Sequence, residues 1–344
     1  MESSEELIEA FLAHKELVQG RTPGTIRAYG LRLRRLAAFL AARGIPFTAA
    51  TLEDLQAFAG VHLHQLGVTP RSRGVSVAAI REFYRFLHGR RLVGANPATH
   101  LEPPRVGTSL PYAMGRAHVE ALFQTCDLGT FLGVRDAAII AMLAGCGFRV
   151  SGLVSLNEES LEVEVERDGR EIIFARVLEK GKHERIVPVP ASAWLLLRAY
   201  LGHPELDRID RTLPSGRRVL FVSTRNRSVP EHDYYGEARR LRTGAVREML
   251  VKRGEEAGIP REYLHPHAMR HLFGVELAEG DVDLDLRAAL LGHRRSDTTR
   301  LYDRMSRRRL RDAVLKAGPL ASIRTPVDGL VEELRRRHTE SLAR

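Results

Sequence analysis

The run His265-Pro-His-Ala-Met-Arg-His271 gathers the side chains of this chain best suited to chemistry. Pro266 fits the first turn of a helix, where its missing N–H costs nothing. Apolar residues at Met269, Leu272, Phe273 and Leu277 predict a helix from about Ala268 to Glu279. His267 and Arg270, three residues apart, then share one face. A titratable imidazole beside a permanent cation can hold an oxyanion while a proton moves nearby. Two solvated residues on a charged helix face would give the same pattern. His265, His267 and His271 also raise the question of zinc, since 267 and 271 are four apart on a helix. No third ligand follows at matching spacing, so no metal is expected.

The charge balance says which oxyanion. Over 344 residues there are 53 Lys and Arg against 43 Asp and Glu, a formal net charge of +10. That excess favours a polyanionic partner, nucleic acid before membrane surfaces, and makes phosphate the natural ligand. Only Lys15, Lys180, Lys182, Lys252 and Lys316 are lysines; the other 48 basic residues are arginine. Arginine grips phosphate with a two-pronged fork but keeps its proton near neutrality. A lysine retained among so many arginines is therefore a candidate proton donor. Cys126 and Cys146 are too few for a disulfide framework or a four-ligand zinc site. Both are expected in the core, in a reducing cytoplasm. No apolar run reaches the 18 or so residues that span a membrane, and the acidic start Met-Glu-Ser-Ser-Glu-Glu lacks the basic beginning of a signal peptide. A cytoplasmic protein without a membrane partner is expected.

The elements that must position these groups fall into two sets. Helical spacing covers residues 5–19, then Thr25 to Arg43, a third helix from near Thr51, and a fourth from about Pro70 to His88. Arg27, Arg34, Arg71, Arg73 and Arg81 lie off the apolar stripes and are candidate DNA contacts. Asn96-Pro97 to Pro103-Pro104 and then Val106-Gly107-Thr108 have linker composition. Beyond the linker, Val119–Phe123 and the almost wholly apolar Asp136–Ala144 read as helices. Gly145-Cys-Gly-Phe-Arg149 then forms a tight junction before a new helix near Ser151. The alternation Leu-Glu-Val-Glu-Val from residue 161, the Asp168-Gly169 turn, Glu171–Leu178 and Arg185–Val189 predict three strands. Lys180 and Lys182 occupy the second turn, with Arg185 just after it; Lys182 and Arg185 are further candidate DNA contacts. Trp194–Leu201 reads as helix, 203–218 as a polar insertion, Val219–Val222 as a short strand and Glu237–Ala257 as a long helix. Gly280 is a helix-end candidate. Leu284–Leu291 is a helix closed by Gly292-His293, Ser296 or Asp297 caps a short helix with Tyr302, and residues 306–316 and 326–342 are two more helices.

In this order the pieces become a pattern. Gly147-Phe-Arg149-Val-Ser151, Lys180-Gly-Lys-His-Glu-Arg-Ile-Val-Pro-Val189, His267-Ala-Met-Arg270-His271, Leu290-Leu-Gly-His293 and Thr298-Thr-Arg-Leu-Tyr302 together resemble the tyrosine recombinase (phage integrase) family, near its Xer-type and transposon or phage integrase branches. Thr25-Ile-Arg-Ala-Tyr29, Ile80-Arg-Glu-Phe-Tyr84 and Asn96-Pro97 resemble that family's core-binding domain. The likeness spans roughly residues 5–317, and five blocks in order are far more specific than any one.

The resemblance implies a mainly α fold with a small antiparallel β-sheet. A helical SAM-like core DNA-binding domain would take residues 1–104, a linker 105–112, a mixed α/β catalytic domain 113–320, and a tail for protomer contact 321–344. It implies that Tyr302 attacks a DNA phosphodiester to leave a 3′-phosphotyrosyl bond, with neither cofactor nor metal. Arg149 and Arg270 would clamp the phosphate, Lys180 would protonate the departing 5′-oxygen, with Lys182 its rival though the register of Arg185-Ile-Val-Pro favours Lys180, and His267 and His293 would assist by proton movement and hydrogen bonding. The partners implied are a double-stranded recombination site, three further copies of the chain in a tetramer that passes through a Holliday junction, and accessory proteins. Relaxation of DNA in the manner of a type IB topoisomerase, or a DNA-binding protein with an impaired centre, are the alternatives. One position departs from the pattern: Gly152 stands where the family usually has a carboxylate, and Asp136 or Glu179 is a candidate substitute.

Overall fold

The structure, a computed structural model, describes residues 3–107, 114–165, 171–179, 183–226, 228–292, 307–330 and 332. The chain divides into two compact units, Met1–Ser109 and Leu110–Arg344. The architecture is mainly helical, with one three-stranded antiparallel sheet.

In the first unit, α1 (Ser4–Ala13) starts at a capping box in which the Ser3 hydroxyl accepts from the Glu6 amide. It runs on through a π-helical turn, His14–Val18. α2 (Pro23–Ala41) follows. α3 (Leu52–Gln56) begins at a second capping box, Thr51 with Asp54, and passes through Ala57–His62 into the short α4 (Leu63–Gln65). α5 (Pro70–Gly89) closes the unit. Their apolar stripes meet around Phe11, Phe47 and Phe83, whose rings contact edge to face. Lys15 is buried here, its ammonium 2.7 Å from Glu82 and 5.2 Å from the centre of the Phe11 ring.

The second unit is built around α7 (Phe131–Cys146), which is buried on nearly every side, as its apolar sequence implies. α6 (Arg116–Gln124), α9 (Ala191–Leu201) and α12 (Pro266–Glu279) pack on it. α8 (Val150–Ser155) leads to β1 (Leu161–Val165), β2 (Glu171–Glu179) and β3 (His183–Val189). The central strand β2 pairs Glu162 of β1 with Phe174, and Arg185 of β3 with Val177. α10 (Pro204–Asp207), α11 (Thr243–Glu256), α13 (Leu284–Leu291) and α14 (Arg307–Ala317) complete the unit.

Two local expectations are corrected. Val219–Val222 is no strand: it makes only isolated bridges, Val219 to Asn157 and Val222 to Arg240. The helix expected from Glu237 begins instead at Thr243, because Arg240 is extended to meet Val222 and its guanidinium caps the Val154 and Leu156 carbonyls at 3.0 Å each. Gly280 caps the end of α12 as expected, with φ −82°, and the next residue, Asp281, turns left-handed at φ 55°. The expected helices around Tyr302 and over 326–342 lie wholly or mostly outside the described residues.

Asp136 is 5% exposed and holds two guanidiniums, Arg253 at 2.8 Å and Arg135 at 3.0 Å. This ion triad ties α7 to α11. Removing the carboxylate leaves two buried cations facing each other, so Asp136→Ala should destabilise the unit by about 3–5 kcal/mol. The midpoint of urea unfolding checks this; an unshifted midpoint would assign the triad no structural role.

Candidate active site

The site forms where three chain ends meet: the end of α7, the start of α12 and the end of α13. Gly147 closes α7 in the left-handed region, φ 58°, and a Cβ there would collide with the ring of Phe273 on α12. The sharp reversal delivers Arg149 to the N-cap of α8. On α12, Pro266 occupies the first turn and the His265 ring accepts from the Ala268 amide at 3.0 Å, so that imidazole serves as the helix cap. Gly292, φ 58°, ends α13.

Arginines join these ends. Arg270, only 7% exposed, donates to the Gly147 carbonyl at 2.6 Å and to the Leu291 carbonyl. Arg149 reaches the Gly292 carbonyl at 3.4 Å. The backbone oxygens at the end of α13 carry partial negative charge, so they attract guanidinium groups as a phosphate oxygen would. Arg149, Arg270 and His267 are thus brought to one place, and the Arg149 charge is felt at the His267 ring.

His267 reaches solvent, yet neighbouring protein atoms desolvate its ring. That partial burial lowers its pKa below the ordinary imidazole value of 6.5, and the charge of Arg270 adds to the effect, followed by His265, His271 and Arg149. His267 is therefore neutral at pH 7 and able to accept a proton. His265 is lowered likewise, by burial first and then by His271.

Other expected site residues find different places. Lys180, Lys182, His293 and Tyr302 lie outside the described residues. Arg185 is a correction: at 3% exposed it points inward, donating to the Leu290 carbonyl with its guanidinium 5.6 Å from the Phe148 ring centre, and so is not placed to meet DNA. Arg34 is held by Glu5 and Glu9 of α1, and Arg73 donates to the Gly60 carbonyl at 3.1 Å. Arg27 and Arg71 are exposed and Arg81 half-buried. Asp136 cannot replace a carboxylate at position 152: it is committed to the triad and lies ten residues before the end of α7, roughly 15 Å along the axis. Gly152 itself is buried, and a Cβ there would lie 2.9 Å from a Val177 methyl. An apolar strand residue fills that space. The Glu179 side chain lies outside the described residues.

Two groups near the site escaped the sequence reading. Glu276, six residues after Arg270, is 7% exposed and paired with Arg116 at 2.5 and 2.6 Å. The Met114 amide donates to the Ala268 carbonyl at 3.3 Å. The first described residues of the second unit thus grip the helix that carries His267 and Arg270. A glutamate inside an apolar helical stripe was the available signal for the first; nothing in the sequence signals a backbone bond.

Comparison with known proteins gives the family. Residues 113–309 match the Phage integrase family, and residues 8–91 match the Phage integrase, N-terminal SAM-like domain. The chain belongs to the phage integrase family of tyrosine recombinases. It is 31% identical to tyrosine recombinase XerC of Myxococcus xanthus over 324 residues, 93% of this chain and 100% of that protein. It is 29% identical to tyrosine recombinase XerD of Bifidobacterium longum, over 92% of this chain and 97% of that one. Such likeness over nearly the full length makes it a site-specific recombinase. Its fold resembles XerH bound to difH substrate in a pre-cleavage complex (TM-score 0.61, 18% identity, 90% of this chain and 84% of that one). It also resembles a lambda integrase tetramer bound to a Holliday junction (TM-score 0.59, 14% identity, 86% and 79%).

The lowered His267 pKa sets a pH dependence. Between pH 6.5 and the lower folded value the unfolded chain binds the proton and the folded one does not. The contribution of His267 to stability is therefore full above pH 6.5 and is lost as pH falls through the folded value. Titration of DNA-free protein by histidine NMR should place the His267 midpoint below 6.5, and Arg270→Gln should raise it. A midpoint at or above 6.5 would contradict the site electrostatics.

Proposed function

We propose that this recombinase cuts and rejoins DNA through Tyr302. The phenolic oxygen attacks phosphorus, an O–P bond forms, and the P–O5′ bond breaks. The Tyr302 proton passes to neutral His267, and the departing 5′-oxygen takes a proton from the Lys180 ammonium. Arg149 and Arg270 stabilise the charge of the five-coordinate phosphorus, with His293 as a further hydrogen-bond donor. The observation that carries the reading is the convergence of Arg149, Arg270 and His267 at the end of α13, one residue before His293 and ten before Tyr302. The phosphotyrosyl bond conserves the energy of the broken phosphodiester, so the reverse attack by a 5′-hydroxyl reseals the strand.

Arg27, Arg71, Arg81 and Lys182 are the proposed DNA contacts of their faces, mostly to phosphate, which makes binding salt-sensitive. Pairs of sites would be joined by four copies of the chain, through a Holliday junction. In the second unit a cleft of about 290 Å³, lined by Pro190, Ala191, Leu315, Leu320 and Ile323, is the proposed seat for the 326–342 segment of a neighbouring copy; this chain's own Asp328 and Glu332 also line it, so folding back in cis is the alternative.

A nicked suicide substrate should trap a covalent adduct that mass spectrometry assigns to Tyr302, and Tyr302→Phe should lower its yield at least a thousandfold, on the order expected for loss of a nucleophile. An adduct undiminished in Tyr302→Phe would refute the reading. Two marked sites in one reaction separate strand exchange from simple relaxation of supercoils. A chain truncated after Leu330 should still bind one site but fail to assemble four copies on DNA; native gels giving an unchanged tetramer would remove the cleft from the assembly.

A further inference from the structure

The Leu-Glu-Val-Glu-Val alternation of β1 puts Glu162 and Glu164 on the same face of the sheet. Both receive Arg307, the first residue of α14: one guanidinium nitrogen is 2.8 Å from Glu162 and the other bonds Glu164. The same guanidinium lies 5.2 Å from the ring centre of Phe174, the β2 partner of Glu162. Arg176 of β2 braces Glu162 from the other side and joins Glu184 of β3 at 2.9 Å. Burial alone would raise the Glu162 pKa, but hydrogen bonds from Arg176 and Arg307 outweigh it and hold the carboxyl below its usual range. At the other edge of the sheet, Arg185 of β3 grips the Leu290 carbonyl at the end of α13.

These contacts stand at the two ends of residues 293–306, the stretch that contains Tyr302. We propose that the sheet is the positioning device for the nucleophile: Arg185 fixes where the tyrosine-bearing stretch leaves α13, and Glu162 with Glu164 fixes, through Arg307, where it enters α14. Lys180 follows the last residue of β2 in sequence, so the same sheet leads the chain to the acid as well as, through Arg307, to the attacking group. This inference rests on the reading of Tyr302 as nucleophile. Arg307 follows Tyr302 by five residues, a reach of at most about 17 Å. Release of that anchor lets the oxygen drift by ångströms, enough to cost roughly tenfold to a hundredfold in rate. The side chains of the clamp are a quarter to half exposed, so the global fold depends little on them.

The test is single-turnover adduct formation on suicide DNA, ordinary and with sulfur in place of the bridging 5′-oxygen. Sulfur leaves without an acid, so Lys180→Ala should be slow on the first substrate and recovered on the second. Arg307→Gln, and separately Glu162→Gln with Glu164→Gln, should bind DNA like the parent yet form adduct roughly tenfold to a hundredfold more slowly on both substrates. The combined variant should be no slower than either, because the clamp acts as a unit. Arg307→Lys should recover part of the rate. Parent-like rates, losses that multiply, or recovery by sulfur would each overturn the proposal. If Arg307→Gln fails to bind DNA, Glu164→Gln carries the test, and parent-like cleavage by it overturns the clamp. Absence of any Tyr302 adduct in the parent would instead defeat the underlying reading.

Discussion

The fit of guanidinium groups to the carbonyl end of α13 is the interaction on which the second unit depends. Arg185, Arg270 and Arg149 donate to the carbonyls of residues 290, 291 and 292 in turn. They come from β3, α12 and the junction after α7, elements far apart in sequence. A helix end buried without partners for its last carbonyls is costly, and three cations concentrated in one place repel one another. Each problem solves the other. The partial negative charge of the helix end holds the arginines together, and the arginines fix the carbonyl end of α13 in place.

That arrangement explains the tight backbone around it. Gly147 must take positive φ and present no Cβ to Phe273, because Arg270 reaches across to the Gly147 carbonyl. His265 is spent as the cap of α12, which fixes where that helix begins and so where His267 and Arg270 stand. The Met114 and Arg116 contacts then attach the first described residues of the second unit to the same helix. The side chains of the candidate site are placed by backbone bonds at element ends, which are stiffer supports than loop surfaces.

Much of this was legible in the sequence where local chemistry decides it. The 3.6-residue stripes of α2 and α5, the apolar run of α7, the period-two β1 and the helix-ending Gly292 are all local signals, and the structure has an element at each. The failures share one cause, contact between distant residues. Arg185 follows two lysines in a basic turn and looks like a DNA contact; only the packing of α13 over β3 turns it inward. Asp136 looks available for catalysis until Arg253, 117 residues later, is seen to occupy it. Arg240 breaks a helix that its neighbours would have formed, because it pairs with Val222 and caps the end of α8. The two glutamates of β1 were visible as a pattern, but their partner was not.

The Val177 methyl packed over Gly152 has a consequence for the engineering of this enzyme. The space beside Gly152 is bounded by hydrocarbon, a methyl 2.9 Å from where a Cβ would lie. Introducing an acid there alone would drive a charge into a greasy wall, so the strand must be trimmed as well. A carboxylate can therefore be placed there only if both positions change together.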